Sequence, residues 1–369
     1  MTVSINEIIL YVITLLPIST LFVNQSITNK ILFVLSIVTF AIAILKHMTK
    51  RIFFLLSIVV FEFVISIVVT GTLALYNTND IFYLPLWVLF FLYFENNHKI
   101  FESTTRKHIR FVKYCIYIWE CLFIVLRITN PTMNEEFSHR SASSAFLIIV
   151  MVWYISKTTH SKKFNINLLI PLLAVFIFEV RTYLIVSLVV VCMAYYSLFK
   201  KKKYFFFTII PFIILIIYFV LQTSVGSRFT NTTESYYGGI LATITSSRSV
   251  FWEADIKAFL ASSLLFKIIG NGYNYIYIVN FKCVATYIWG HNDIIHILVT
   301  NGIIGLYIYF SAFFGFIKRF SKSNKYDIRL FLLAIVTIAF CALLDGLYHY
   351  ICALFAIPFL INGIKKGNC

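Results

Sequence analysis

Apolar segments about as long as a membrane-spanning helix recur along almost the whole chain of 369 residues. A run of about 18 or more apolar residues is long enough to cross the hydrocarbon core of a bilayer. Hydrophobic residues make up 60% of the chain and charged residues 12%, and a water-soluble domain could not bury that much apolar surface. The runs are continuous rather than alternating, which favours helices over a β-barrel. The sequence therefore predicts a single all-α, polytopic membrane domain over residues 1–369.

The hydropathy pattern predicts about 12 transmembrane helices, with spans four, six and seven the shortest. Their approximate bounds are 5–23, 31–45, 52–70, 81–94, 109–128, 144–156, 167–180, 182–199, 204–221, 293–317, 328–344 and 346–363. One long loop, about 222–290, separates spans nine and ten.

The basic residues indicate how the helices are oriented. Alternate short loops carry 22 of the 31 Lys and Arg residues, and such loops are retained in the cytoplasm. We therefore expect the N- and C-termini to be cytoplasmic and the loop 222–290 to face outward from the membrane. Because topology accounts for the net charge of +16, the charge does not indicate nucleic-acid binding.

The nine basic residues on the outward side differ in kind from those inside. Five of them are Arg, against five of the 22 cytoplasmic ones, and the forked guanidinium suits bidentate recognition of phosphate. Arg181, Arg248 and Arg140 are the candidate pyrophosphate ligands. The alternative is that each is an ordinary interfacial or loop charge, or in the case of Arg181 a partner of Glu179.

His291 is the candidate general base, because it lies where the long loop joins span ten and a neutral imidazole there could take a proton from a sugar hydroxyl. Asn292 is expected to cap the following helix and Asp293 to lie in its first turn. A capping or hydrogen-bonding role for His291 is the alternative. His296, five residues further on, is interpreted as structural.

The segment from Val250 to Ile269 predicts a helix that lies at the membrane surface or over a cavity. Its expected apolar face carries Phe251, Ile256, Phe259, Leu260 and Leu264, and its opposite face carries Glu253, Asp255 and Lys257. The chain contains no DxD, GxxxxGK[ST], HExxH or GxSxG motif, so neither a metal site nor a cofactor is predicted. Glu62 and Glu120 lie within spans, where a carboxylate serves transport or is hydrogen-bonded between helices.

Three segments together resemble the O-antigen ligases and Wzy-type polysaccharide polymerases, a family of bacterial membrane glycosyltransferases. The segment 291–306 (HNDIIHILVTNGIIGL) resembles the family's His-Asn…Gly…Gly signature. Arg248, Trp252, Gly270 and Gly272 resemble its Arg…Trp…Gly-x-Gly stretch, and the segment 178–182 (FEVRT) resembles its Ser-Arg-Thr/Gly turn, with Val180 in place of a small residue.

The resemblance implies a GT-C-type fold and transfer of an oligosaccharide from undecaprenyl pyrophosphate to the terminal sugar of another lipid-linked repeat unit. His291 would be the base, Arg181, Arg248 and Arg140 would bind the pyrophosphate, and Asn292, Asp293 and Trp252 would support them. A protein that regulates chain length is a further implied partner, besides the lipid-linked oligosaccharide and the bilayer. Two alternatives stay open: an O-antigen ligase that transfers the chain to lipid A core, and a flippase for the lipid-linked unit.

Overall fold

The computed structural model of the protein describes residues 5–22, 25–45, 48–71, 75–97, 106–129, 135–159, 167–198, 207, 248–323 and 325–365. Its named helices are α1 (Ile5–Phe22), α2 (Gln25–Leu45), α3 (Lys50–Thr70), α4 (Asp80–Asn96), α5 (Arg106–Thr129), α6 (Glu135–Thr158), α7 (Leu169–Ile177), α8 (Arg181–Leu198), α9 (Arg248–Ala261), α10 (Leu264–Ile269), α11 (Tyr275–Val284), α12 (Asp293–Ser323), α13 (Ile328–Leu344) and α14 (Ile351–Gly363). Within these ranges the chain forms no β-strand, and the all-α prediction is confirmed.

The prediction of a membrane protein is also confirmed at the level of helix length and composition. Among the described residues, α3, α6 and α12 are long and apolar enough to cross a bilayer, and several shorter apolar helices accompany them. Eleven of the predicted spans coincide with named helices, whereas the count of twelve spans and the GT-C architecture stay predictions. The predicted span 204–221, apart from Phe207, and the first part of the long loop lie outside the described residues.

The centre of the bundle consists of α4, α6 and α14, whose side chains are buried on nearly all sides. In α6, 89% of the most apolar window is buried, against 28% in α3. α14 packs on α6, while α2 and α12 pack on α4. The exposed face of α3 presents Phe53, Phe61 and Val68, and side chains of this kind are stable outside the core when they face lipid.

One intramembrane carboxylate joins two helices. Glu62 on α3 accepts a hydrogen bond from Ser66 Oγ at 3.1 Å and one from Asn301 Nδ2 of α12 at 3.4 Å. Asn301 also donates to Ser66 at 3.0 Å, so the three groups form one buried network. This agrees with the alternative that Glu62 is hydrogen-bonded between helices. Glu120 is buried on α5.

The predicted surface helix is present, but it is broken into two helices, and Asp255 lies on a different face from the one predicted. The chain forms α9 and α10, separated at Ser262 and Ser263. Asp255 is buried together with Phe251, one turn away, whereas Leu260 and Leu264 are exposed. The orientation differs because Asp255 packs toward Asn280 of α11, a helix that the hydropathy pattern did not predict.

A kink in α12 is fixed by the glycine loop that follows α10. Gly302 has φ 65° and ψ −162° inside α12, and the carbonyls before it lose their helical partners there. Asn271 N donates to Val299 O and Gly272 N donates to Thr300 O, both at 3.0 Å. A Cβ at Gly302 would lie 2.4 Å from Ile268 O. The backbone of the glycine loop therefore packs directly on the backbone of α12. This contact holds α9–α11 against the start of α12.

We predict that Gly302→Ala lowers the thermal unfolding midpoint of the purified protein more than Gly71→Ala does. Both glycines have positive φ, but a Cβ at Gly71 would meet nothing within 4 Å. Gly71→Ala therefore adds only backbone strain of about 1–2 kcal/mol, and Gly302→Ala adds a steric clash as well. Equal shifts for the two variants would contradict the packing described here.

Candidate functional site

A cavity of about 560 Å³ opens at one end of the helix bundle. Its wall is rich in aromatic and polar side chains that come from the segments 76–83, 139–143, 277–291 and 349–352. In the topology predicted from the basic residues, these four segments are expected on one side of the membrane. None of the described residues of the loops predicted to be cytoplasmic lines this cavity. Residues far apart in sequence thus form one polar site.

The carboxylate of Asp345 lies at the centre of the polar groups beside this cavity, and it is fully buried. Arg248 Nη2 donates to Asp345 Oδ1 at 3.0 Å, and its other amino group donates to the carbonyl of Leu344. His139 Nδ1 lies 3.2 Å from Asp345 Oδ2. Asp345 follows the last residue of α13, where the helix dipole disfavours a negative charge. Arg248 offsets that cost, because it bonds both the helix-end carbonyl and the carboxylate.

Burial raises the pKa of Asp345, but His139 and Arg248 outweigh that effect and hold the pKa well below its usual range. Asp345 is therefore a buried carboxylate that stays ionised. A single anion at this place binds groups from α6, α9 and α13 together.

His291 faces the same carboxylate from the loop before α12. Its Nδ1 lies 3.8 Å from Asp345 Oδ1, which is too long for a hydrogen bond but close enough for electrostatic interaction. The imidazole lies on the ring of Trp289, with 4.3 Å between ring centroids. Burial and, to a smaller extent, the charge of Arg248 lower the pKa of His291 to about 4, against the opposing effect of Asp345. His291 is therefore neutral at physiological pH, as a general base has to be.

The backbone of His291 is held in a conformation that its side chain does not favour, with φ 47°. Trp252 Nε1 on α9 donates to the carbonyl of the preceding Gly290 at 2.5 Å. Asn292 Oδ1 accepts from Ile295 N at 3.1 Å and so caps α12, as the sequence predicts. Backbone strain of this kind persists where the surrounding contacts over-determine it, and such positions cluster at functional sites.

Asp293 anchors the loop that carries Asp345. One of its carboxylate oxygens accepts hydrogen bonds from Tyr309 Oη, Leu347 N and Tyr348 N, each at 3.1 Å. Asp293 is fully buried. The sequence placed it in the first turn of α12 beside His291, and the structure shows that its partners are the backbone of the segment 345–350 and Tyr309.

The three arginines predicted to bind pyrophosphate occupy different positions. Arg140 lines the cavity, whereas the guanidinium of Arg248 is engaged with Asp345 and Leu344. Arg181 begins α8 and does not line the cavity among the described residues. Its helix nevertheless reaches the site, because the ring of Tyr183 contacts that of Tyr350 at a centroid distance of 6.0 Å.

Sequence reasoning missed Asp345, His139, Trp289 and His349 as members of this site. The segment 345–350, DGLYHY, is a polar insertion between two apolar runs, and that signal was present. Residues 346–350 were included in the predicted span 346–363, whereas the helix begins at Ile351 in the structure, and Asp345 fell between two predicted spans.

The chain has no significant match among protein-family models, curated proteins or solved structures. The resemblance to the polymerase and ligase family therefore rests on the sequence motifs alone. The geometry of the site was obtained separately from those motifs.

We predict that Asp345→Asn and Arg248→Gln each destabilise the protein by up to about 3–5 kcal/mol, because each leaves a buried charge without its main partner. The double variant should lose clearly less than the sum of the two single losses. Thermal unfolding of the four proteins in one detergent measures this coupling. Strictly additive losses would show that the ion pair does not hold the site together.

Proposed function

We propose that the protein is a membrane glycosyltransferase that extends a bacterial surface polysaccharide. It transfers an oligosaccharide from undecaprenyl pyrophosphate to the terminal sugar of another lipid-linked repeat unit, at the outward face of the inner membrane. The observation that carries the proposal is the neutral His291 beside the ionised Asp345, next to Arg140, in one aromatic cavity at the end of an apolar bundle.

The acceptor hydroxyl is activated by His291 in this proposal. The hydroxyl oxygen attacks the anomeric carbon, its proton passes to the imidazole, and the bond between that carbon and the pyrophosphate oxygen breaks. A direct displacement of this kind inverts the anomeric centre. Asp345 stabilises the imidazolium that forms, in the way a buried carboxylate supports a histidine base. The distance of 3.8 Å between His291 Nδ1 and Asp345 Oδ1 shortens to a hydrogen bond as that charge develops.

Arg140 is the arginine best placed to bind the pyrophosphate and to stabilise its charge as it leaves, because it lies in the cavity wall. Arg248 acts by holding Asp345 in place. For Arg181 we retain the predicted role at the headgroup level, at the start of α8.

Aromatic rings supply the binding surface for the sugar chain. Tyr76, Tyr83, Tyr277, Tyr287, Trp289 and Tyr350 line the cavity. Each presents an apolar face and a polar edge, which suits the mixed apolar and hydroxyl surface of a pyranose. The stacked pair of Tyr76 and Tyr287, with centroids 4.3 Å apart, leaves an extended aromatic wall.

We predict that His291→Gln lowers the rate of chain growth about 10²–10⁴-fold, which is the range for loss of a general base. The size distribution of surface polysaccharide in a deletion strain carrying each variant measures this, with membrane protein levels matched. His108→Gln is the control, since His108 is buried on α5 outside the cavity.

The same assay separates the alternatives. Single repeat units in the deletion strain support a polymerase, whereas long polymer retained on its carrier indicates a ligase, and repeat units trapped inside indicate a flippase. Wild-type chain lengths from His291→Gln would refute its role as base.

We predict that the acidic limb of the pH–rate profile has its midpoint near pH 4, the pKa of His291, rather than at 6.5, the ordinary value for an imidazole. A base works in its neutral form, and the lowered pKa keeps His291 neutral until the pH falls toward 4. Initial rates with purified protein in lipid bilayers give the profile. A limb centred at pH 6.5 would mean that a different, solvated histidine acts as the base.

A further inference from the structure

We propose that Asp80, His296 and His349 form a binding site for a divalent transition-metal ion of the Zn²⁺ type. One ligand atom from each residue lies within 4.8 Å of the other two. The three residues come from three different elements: Asp80 begins α4, His296 lies one turn into α12, and His349 precedes α14. This cluster is separate from the one around Asp345, and it has no assigned part in the sugar transfer proposed above.

The first observation that indicates a bound cation is the burial of the Asp80 carboxylate without a positively charged partner among the described residues. Asp80 and His296 are each 1% exposed, and neither oxygen of Asp80 makes a hydrogen bond of normal geometry within the described residues. The hydroxyl of Tyr277 is the polar group that interacts with Asp80, and no Lys or Arg of the described residues pairs with it. A buried carboxylate without a cation costs several kcal/mol, and a metal dication removes that cost.

The chemical types of the three ligands indicate which metal ion the site would bind. Two imidazoles and one carboxylate are borderline ligands that suit zinc and its neighbours in the first transition series, whereas calcium and magnesium prefer oxygen alone. A set of three protein ligands leaves one coordination position open, as in catalytic rather than structural zinc sites.

The distances between the ligand atoms are slightly longer than those of an occupied zinc site. His296 Nε2 lies 3.8 Å from Asp80 Oδ2. Ligands at about 2.1 Å from a tetrahedral zinc lie about 3.4 Å apart, so this pair needs to approach by only a few tenths of an ångström. All three ligand atoms lie within 4.8 Å of one another, and rotation of the side chains would bring them to the zinc spacing. Within the described part of the chain, His349 Nε2 is buried and makes no hydrogen bond.

The cluster lies next to the cavity. His349 lines the cavity wall, whereas Asp80 and His296 do not. Trp289 stacks on His349 with ring centroids 3.7 Å apart, and its ring also contacts that of His291. One indole therefore separates the metal site from the proposed base, and a fourth ligand would come from the cavity side.

Zinc binding to the purified full-length protein tests the proposal. The protein is prepared in lipid nanodiscs through an affinity tag without histidine, stripped with a chelator, incubated with Zn²⁺, desalted and analysed for zinc by mass spectrometry. We expect about one zinc per wild-type chain and at least a tenfold loss in His296→Ala and in His349→Ala. His108→Ala is the control, because His108 is a buried histidine outside the cluster, and it should keep the wild-type stoichiometry.

A second measurement, thermal unfolding with and without Zn²⁺, shows whether the variants are folded. Zn²⁺ should raise the thermal unfolding midpoint of the stripped wild-type and His108→Ala proteins, because a ligand that binds only the folded state stabilises it. The midpoints of His296→Ala and His349→Ala should not change. Absence of zinc from the wild-type protein, or equal zinc in wild-type and His296→Ala, would overturn the proposal.

Discussion

The site depends on how one buried negative charge is compensated in an apolar bundle. Asp345 follows the end of α13, where both burial and the helix dipole disfavour an anion. Arg248 and His139 compensate the charge, so α6, α9 and the end of α13 meet at this point. His291 then faces a carboxylate that stays ionised. The stability of the site and the chemistry that we propose for it have the same physical origin.

A second constraint positions the segments that supply these partners. The kink at Gly302 frees carbonyls of α12, and the loop Gly270–Gly272 donates to them. Contact between the two backbones holds α9–α11 at the start of α12, beside His291. Asp293 fixes the segment 345–350 through backbone amides of that segment. The polar contacts near the cavity orient its walls.

The sequence predicts the apolar framework well and the polar contacts poorly. Long apolar runs indicate burial in a core or in lipid, so the bounds of α1–α5, α7, α8 and α13 agree with the prediction within about two turns. The helix α6 begins at Glu135, well before the predicted start at 144, because its first turns are polar. Arg248, Trp252 and His291 were recognised from motif spacing, and the structure brings them together. His349 was hidden inside a predicted span, Asp345 lay unnoticed between two predicted spans, and Asp255 was assigned to the wrong face. A local pattern does not reveal that Asp255 packs toward Asn280, or that Asp345 meets Arg248 from a helix 97 positions away.

The most direct test of the account is chain growth by the purified protein in a lipid bilayer, with undecaprenyl-pyrophosphate-linked repeat units as the sole sugar substrate. We expect a ladder of products and the release of one undecaprenyl pyrophosphate for each repeat added. Full-length protein that leaves the repeat units unchanged, or that grows chains without releasing the carrier, would contradict transfer of the oligosaccharide from the lipid pyrophosphate.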